Sequence, residues 1–96
     1  MRRTLAEHDL TLQPGETHAA EIVRPAGRSM YACLTGGVGV RYAVQVYGGD
    51  GWQVRAGGRC GGSTRVRCAS PDEGTLCRVT FAADDMANVS LRWEVR

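Results

Sequence analysis

The chain has 96 residues, enough for one domain with a single core, though a chain this short buries only about two-thirds of its unfolded surface. Twelve arginines and no lysine face ten carboxylates, for a formal net charge of +2. That excess is too small to imply nucleic-acid binding, and the arginine bias points to a GC-rich coding sequence of bacterial or phage type. No stretch approaches the roughly 18 apolar residues of a membrane span, and Met1-Arg2-Arg3 is not followed by the apolar core of a signal peptide.

In chain order, residues 1–8 carry no clear pattern, and an N-terminal arm or a short edge strand both fit. The rest, 9–96, reads as one β-sandwich domain. Leu10 and Leu12 alternate weakly before the Pro14-Gly15 turn, and Ala20 and Ile22 form the apolar face of a second strand over 17–24. Residues 29–34 make a third strand of ambiguous facing, since Met30, Ala32 and Leu34 compete with Tyr31 and Cys33. The clearest element is Val40–Tyr47, with Val40, Tyr42, Val44 and Val46 on one face and Arg41, Ala43 and Gln45 on the other. If Trp52, Val54 and Ala56 continue that inner face, Val46 lies opposite Trp52 across a three-residue Gly48-Gly49-Asp50 loop. Thr64, Val66 and Cys68 point inward from a sixth strand, Cys77, Val79 and Phe81 from a seventh, and Val89, Leu91, Trp93 and Val95 from the last. Short strands with glycine or proline turns and no amphipathic helix predict an all-β fold. The architecture expected is a small antiparallel β-sandwich, jelly-roll or Ig-like, of about 7–8 strands.

Cys33, Cys60, Cys68 and Cys77 are an even number in a short chain, and none lies in the Cys-x-x-Cys pair that begins most zinc sites. Two disulfides are expected, with free buried thiols the main alternative. If the strands form a meander, Cys33 and Cys60 fall at one end of the sheet and Cys68 and Cys77 at the other. A six-residue strand spans about 20 Å and a disulfide needs Cα atoms within about 7 Å, so Cys33–Cys60 and Cys68–Cys77 are the expected pairs. Such bridges favour an extracellular or virion-surface location, while the missing signal peptide leaves a cytoplasmic one open.

The same meander places Arg41, Arg55, Arg65, Arg67 and Arg78 on one outward face, with Arg55 opposite Arg65 and Arg67 opposite Arg78. Like charges so placed repel by up to about 1 kcal/mol each, which an acidic partner would relieve. The alternative is that loop carboxylates screen them, or that their strands are split between two sheets.

Gly74-Thr75-Leu76-Cys77-Arg78-Val79-Thr80-Phe81, followed by Val89-Ser90-Leu91-Arg92-Trp93, resembles the closing strands of GOLD-type and pre-peptidase C-terminal-type sandwiches. Leu12-Gln13-Pro14-Gly15-Glu16 resembles their opening turn. The resemblance implies a largely noncatalytic binding or packing module and carries no active-site residue.

No nucleophile, base and orienting group can be assembled, so no enzyme, cofactor or metal is expected. His8 and His18 read as surface or capping histidines, and Asp84-Asp85 with Asn88 as a polar turn rather than a calcium loop. Gly36-Gly37-Val38-Gly39 lacks the GKS/T of a phosphate-binding loop. The function expected is a noncatalytic protein-interaction or structural module: a secreted adaptor, accessory domain or virion assembly protein with a protein partner or a second copy, docking an acidic surface through the arginines. The alternative is a carbohydrate-binding sandwich using Tyr47, Trp52 and the glycine-rich loops, a reading that weakens if Trp52 is buried.

Overall fold

The computed structural model describes residues 2–96. Eight strands, β1 (Arg3–Leu12), β2 (Thr17–Val23), β3 (Met30–Gly36), β4 (Val40–Gly48), β5 (Gly51–Arg59), β6 (Gly62–Ala69), β7 (Leu76–Ala83) and β8 (Ala87–Val95), account for the regular structure. They form two four-stranded antiparallel sheets, in the orders β1-β8-β3-β6 and β2-β7-β4-β5. The all-β sandwich predicted from the alternation is therefore the fold. The segment for which the sequence left an arm and an edge strand open belongs, from Arg3 onward, to edge strand β1; Met1 lies outside the described residues.

Alternation sets the inner faces. Leu12, Met30, Ala32, Leu34, Val44, Val46, Val79, Phe81, Val89, Leu91, Trp93 and Val95 are buried between the sheets, with Tyr42 and Val66 packed partly against them. Each large apolar side chain so enclosed contributes about 1.5–3 kcal/mol. The ambiguity in β3 resolves in favour of Met30, Ala32 and Leu34. Tyr31 and Cys33 face outward, because this central strand offers its longer unbroken apolar set to the core.

Two expectations fail at the level of pairing. The chain is not a meander: β6 pairs with β3, and β7 lies between β2 and β4 in the opposite layer. The hairpin register also slips by one residue, with Tyr47 opposite Trp52 and Gly48 opposite Gly51. Gly51, at φ +91°, closes the turn in a backbone region that glycine enters without strain. A one-residue slip turns every side chain over, so Trp52 and Val54 leave the core for the outer face. A bulge between Val44 and Gln45 then restores the phase, and Ala56 sits opposite Val44.

Cys68–Cys77 is bridged, with a Cα separation of 6.1 Å, but it joins the two layers rather than neighbours in one sheet. The expected Cys33–Cys60 bridge is absent and both thiols are free. Cys33 projects from the outer face of β3, whereas Cys60 is buried after β5 against Gly36, so a sheet separates them.

At one end of the sandwich the β6–β7 loop is fastened by buried Arg24. Its Nε donates to the Gly74 carbonyl (2.9 Å), Nη2 to that of Glu73 (2.7 Å), and Nη1 to those of Pro25 (3.0 Å) and Arg28 (3.2 Å). This pins the loop over the β4–β5 hairpin, where Thr75 N donates to the Tyr47 carbonyl at 3.0 Å.

Candidate functional site

Register places four outward residues in one row across the whole of the second sheet. Val23 on β2 faces Leu76 on β7, Leu76 faces Tyr47 on β4, and Tyr47 faces Trp52 on β5. The next row is Glu21, Arg78, Gln45 and Val54, and the one after it Ala19, Thr80, Ala43 and Gly57. The face therefore has an aromatic and aliphatic ridge beside a floor of small side chains. Val23 and Val54 are each 65% exposed and Tyr47 43%, while Leu76 and Trp52 are half-buried.

Arg78 crosses this face. Its Nε donates to Gln45 Oε1 (2.8 Å), Nη1 lies 3.6 Å from Glu21 Oε2, and its guanidinium stacks 3.8 Å over the Trp52 ring. Tyr47 meets the same indole edge-on, with centroids 5.2 Å apart. At the end of the ridge a groove of about 510 Å³ opens between the hairpin and the β6–β7 loop, lined by Tyr47, Gly48, Gly49, Asp72, Glu73, Gly74 and Thr75.

The single basic face expected from a meander does not form, because β6 belongs to the other sheet. Arg41 and Arg78 lie on the outer face of the second sheet, Arg55 stands at the bulge of its edge strand β5, and Arg65 and Arg67 lie on the outer face of the first sheet. The supposed Arg55–Arg65 and Arg67–Arg78 oppositions do not exist. Carboxylates screen several of the arginines: Arg41 bonds Asp84 at 2.7 Å, and Arg55 pairs with Glu73. One like-charge opposition does occur, between Arg41 and Arg59. Asp84 sits beside it, its carboxyl held below the usual range by the Arg41 hydrogen bond and charge, with Arg59 adding to the effect.

On the outer face of the first sheet the centre is Glu94, whose side chain is only 8% exposed. Arg92 Nε donates to it at 2.8 Å, and Arg65 and Arg2 approach to 3.6 and 3.8 Å. Burial pushes this carboxyl up, but hydrogen bonds from Arg92 and Cys33 with the charges of Arg92 and Arg2 outweigh it, and the net shift is downward. Arg65 also lies 3.9 Å over Tyr31. Beside this cluster runs a depression of about 390 Å³ whose lining includes Glu7, Asp9, Cys33, Ser63, Arg65 and Arg92. Desolvation, then the neighbouring Glu94, raises the Cys33 thiol above its ordinary value, so at neutral pH it is a weak nucleophile.

His8 and His18 sit on strands of opposite sheets. Asn88 Oδ1 accepts from Thr11 Oγ1 at 2.9 Å while Asp84 turns to Arg41, so the Asp84-Asp85 loop does not converge its oxygens. Among the described residues no three His, Cys, Asp or Glu side chains gather as metal ligands.

No protein-family model matches the chain, and no curated protein matches its sequence. The fold, however, has a counterpart. It is similar to that of PliG from Aeromonas hydrophila, a periplasmic lysozyme inhibitor of g-type lysozyme, with a TM-score of 0.66 at 15% identity, over 95% of this chain and 85% of that one. At that identity the likeness to PliG is one of fold.

The ridge is not legible in the sequence because the alternation places Trp52 and Val54 in the core and gives Val23 and Leu76 no outward role. A signal was present in the glycines of the turn: Gly51 can close a shorter loop than Gly48-Gly49-Asp50, and that alternative would have put Trp52 beside Tyr47.

Proposed function

We propose that this chain is a noncatalytic protein-binding module working in an oxidising, extracytoplasmic compartment, and that it docks through the outer face of its second sheet. The observation that carries the reading is the outward row Val23, Leu76, Tyr47 and Trp52, with Val23 and Tyr47 exposed, Leu76 and Trp52 half-buried, and Arg78 laid across it. Tryptophan, tyrosine and arginine dominate the energetics of protein interfaces, because they bury large area at small conformational loss and keep a polar handle. The Cys68–Cys77 bridge fits the compartment, and the resemblance in fold to an inhibitor supports a module that binds rather than reacts.

G-type lysozyme, which PliG inhibits, is the first partner to test. Immobilised wild-type protein is expected to bind it and slow its lysis of cell walls, and Trp52→Ala with Tyr47→Ala to weaken binding at least tenfold while the fold stays intact. Binding unaffected by both substitutions would remove this face from the reading, and turnover of any substrate by the purified chain would remove the noncatalytic assignment. Trp52 is not buried in the core, so the carbohydrate reading keeps its aromatic. Yet one face of the indole is taken by Arg78 and its edge meets Tyr47, which leaves little flat platform for a sugar ring. Titration of Trp52 fluorescence with oligosaccharides checks that alternative directly.

A further inference from the structure

We infer that Arg41 and Arg59, at the far end of the docking face from the aromatic ridge, together receive an acidic side chain of the protein partner. The inference rests on the reading above that the outer face of the second sheet is the docking surface, and it names the chemistry the partner brings to one end of it. Its basis is a charge left unmet. Arg41 on β4 and Arg59 on β5 are direct cross-strand partners, so their Cα atoms lie about 5 Å apart and both side chains rise from one face. Between them they hold one carboxylate. Arg41 Nη1 bonds Asp84 Oδ1 at 2.7 Å, whereas Arg59 Nη1 donates only to the Val38 carbonyl, at 3.4 Å. Among the described residues Arg59 is the one arginine in the strands of this sheet without a carboxylate, since Arg55 pairs with Glu73 and Arg78 with Glu21, and Asp85, next to Asp84 in the chain, pairs with neither Arg41 nor Arg59.

Like charges directly opposite one another destabilise a strand pair, and a ligand that supplies the missing charge removes the repulsion. The charge count selects the ligand. Two guanidiniums and Asp84 leave a single positive charge, which a carboxylate cancels, whereas a dianionic phosphate would exceed it and be repelled by Asp84. The planar guanidinium also matches a carboxylate in two parallel N–H···O bonds, and each arginine commits only its Nη1 within the molecule. Position argues for a side chain carried on a polypeptide rather than a dissolved ion. Val38, 70% exposed, stands beside Arg59 through the carbonyl contact, so an apolar spot adjoins the unmet charge. Along β4, Arg41 and Tyr47 are six residues apart, about 20 Å of strand. An extended segment of the same length places an acidic group at the arginines and an apolar one on the ridge, and only the small side chains of Ala43, Thr80 and Gly57 and the neutralised Arg78 lie between.

The experiment selects peptides from a random library on the immobilised full chain, each peptide about twelve residues long and so able to span the face. The affinity of enriched peptides is then measured for wild type, Arg59→Gln, Trp52→Ala and, on the opposite face of the sandwich, Arg67→Gln. Enriched peptides are expected to carry Asp or Glu, to lose affinity about tenfold with Arg59→Gln and by a similar factor when their own acidic residue becomes its amide, and to be indifferent to Arg67→Gln. Arg59→Gln is also expected to raise the urea midpoint, because it removes the like-charge opposition, which separates lost binding from lost folding. Peptides that need Trp52 but tolerate both Arg59→Gln and the amide replacement overturn this proposal and leave the docking face standing. Peptides that need Arg59 and their own carboxylate but tolerate Trp52→Ala uphold the arginine pair and remove the ridge. Peptides that tolerate the amide replacement yet are displaced by millimolar inorganic phosphate make this a phosphate site and overturn the carboxylate. Peptides indifferent to Trp52→Ala and Arg59→Gln alike, or a library that yields none, overturn both readings.

Discussion

The guanidinium of Arg78 lies 3.8 Å above the ring of Trp52, although β4 separates their strands. Gln45, on the strand between, accepts from Arg78 Nε and holds the side chain flat along the sheet toward β5. Cation–π contact at a partly exposed site is worth about 0.5–1 kcal/mol. Arg78→Ala is therefore expected to lower stability by about that amount, and in a Trp93→Phe background to raise the acrylamide quenching of Trp52. Unchanged quenching would show that the stacking does not persist in solution.

Gly74 has no room for a side chain. A Cβ there would come within 2.0 Å of the Tyr47 carbonyl oxygen and 2.9 Å of Val46 Cγ2, and backbone cannot yield as a flexible side chain would. Gly74→Ala is expected to destabilise the domain by about 2–4 kcal/mol, since the loop must leave both the hairpin and the Arg24 clamp. Gly61→Ala, which meets nothing closer than 4.0 Å, is expected to stay within about 0.5 kcal/mol of wild type. Urea denaturation of the pair makes the comparison.

The cysteines divide into one bridge and two thiols of unequal access. Non-reducing peptide mapping is expected to recover Cys68–Cys77. In the native protein a maleimide should label Cys33, half-exposed on its outer face, while Cys60, 1% exposed, should react only on unfolding. Loss of the bridge in Cys68→Ser with Cys77→Ser is expected to reduce stability by about 2.5–3 kcal/mol, from the loop-closure entropy of a short cross-linked segment.

Glu94 makes stability pH-dependent, with a definite sign. Its carboxyl is net lowered in the folded state, so the folded protein releases this proton more readily than the unfolded chain does. The stabilisation is fully present above the unfolded carboxylate value of about 4.3 and is lost as pH falls from there through the lower folded value. Glu94→Gln is expected to cost about 1–2 kcal/mol at pH 7, given that its arginine partners are partly solvated. The difference from wild type should close in acid. Thermal melts of both proteins between pH 7 and pH 2 test this, and parallel curves would refute the assignment.

Val44 and Trp52 test the two faces of the second sheet against each other. Val44 is fully buried, and Val44→Asp places an unpaired charge in the core, which is expected to cost about 4–5 kcal/mol or more and unfold the domain. Trp52→Asp, on the outer face, is expected to give a folded, cooperative protein. Two unfolded proteins would mean that Trp52 also supports the core.

Period-2 alternation by itself determined which side chains of β4, β6, β7 and β8 point inward, and with the spacing of glycines and prolines it determined that the chain is a β-sandwich. Both are local properties: a strand turns its side chains over at every residue, whatever lies beside it. Local pattern could not decide partners, since an inward Val66 satisfies either layer equally. Only the tertiary structure put β6 beside β3, which scattered the five arginines and set Cys33 and Cys60 on opposite sides of a sheet. The register of the hairpin was likewise settled by a single turn, where Gly51 shortened the loop by one residue and moved Trp52 from the core to the surface. The ridge of Val23, Leu76, Tyr47 and Trp52 exists only once four strands distant in sequence are aligned. It is a property of pairing, which long-range packing decides and periodicity does not record.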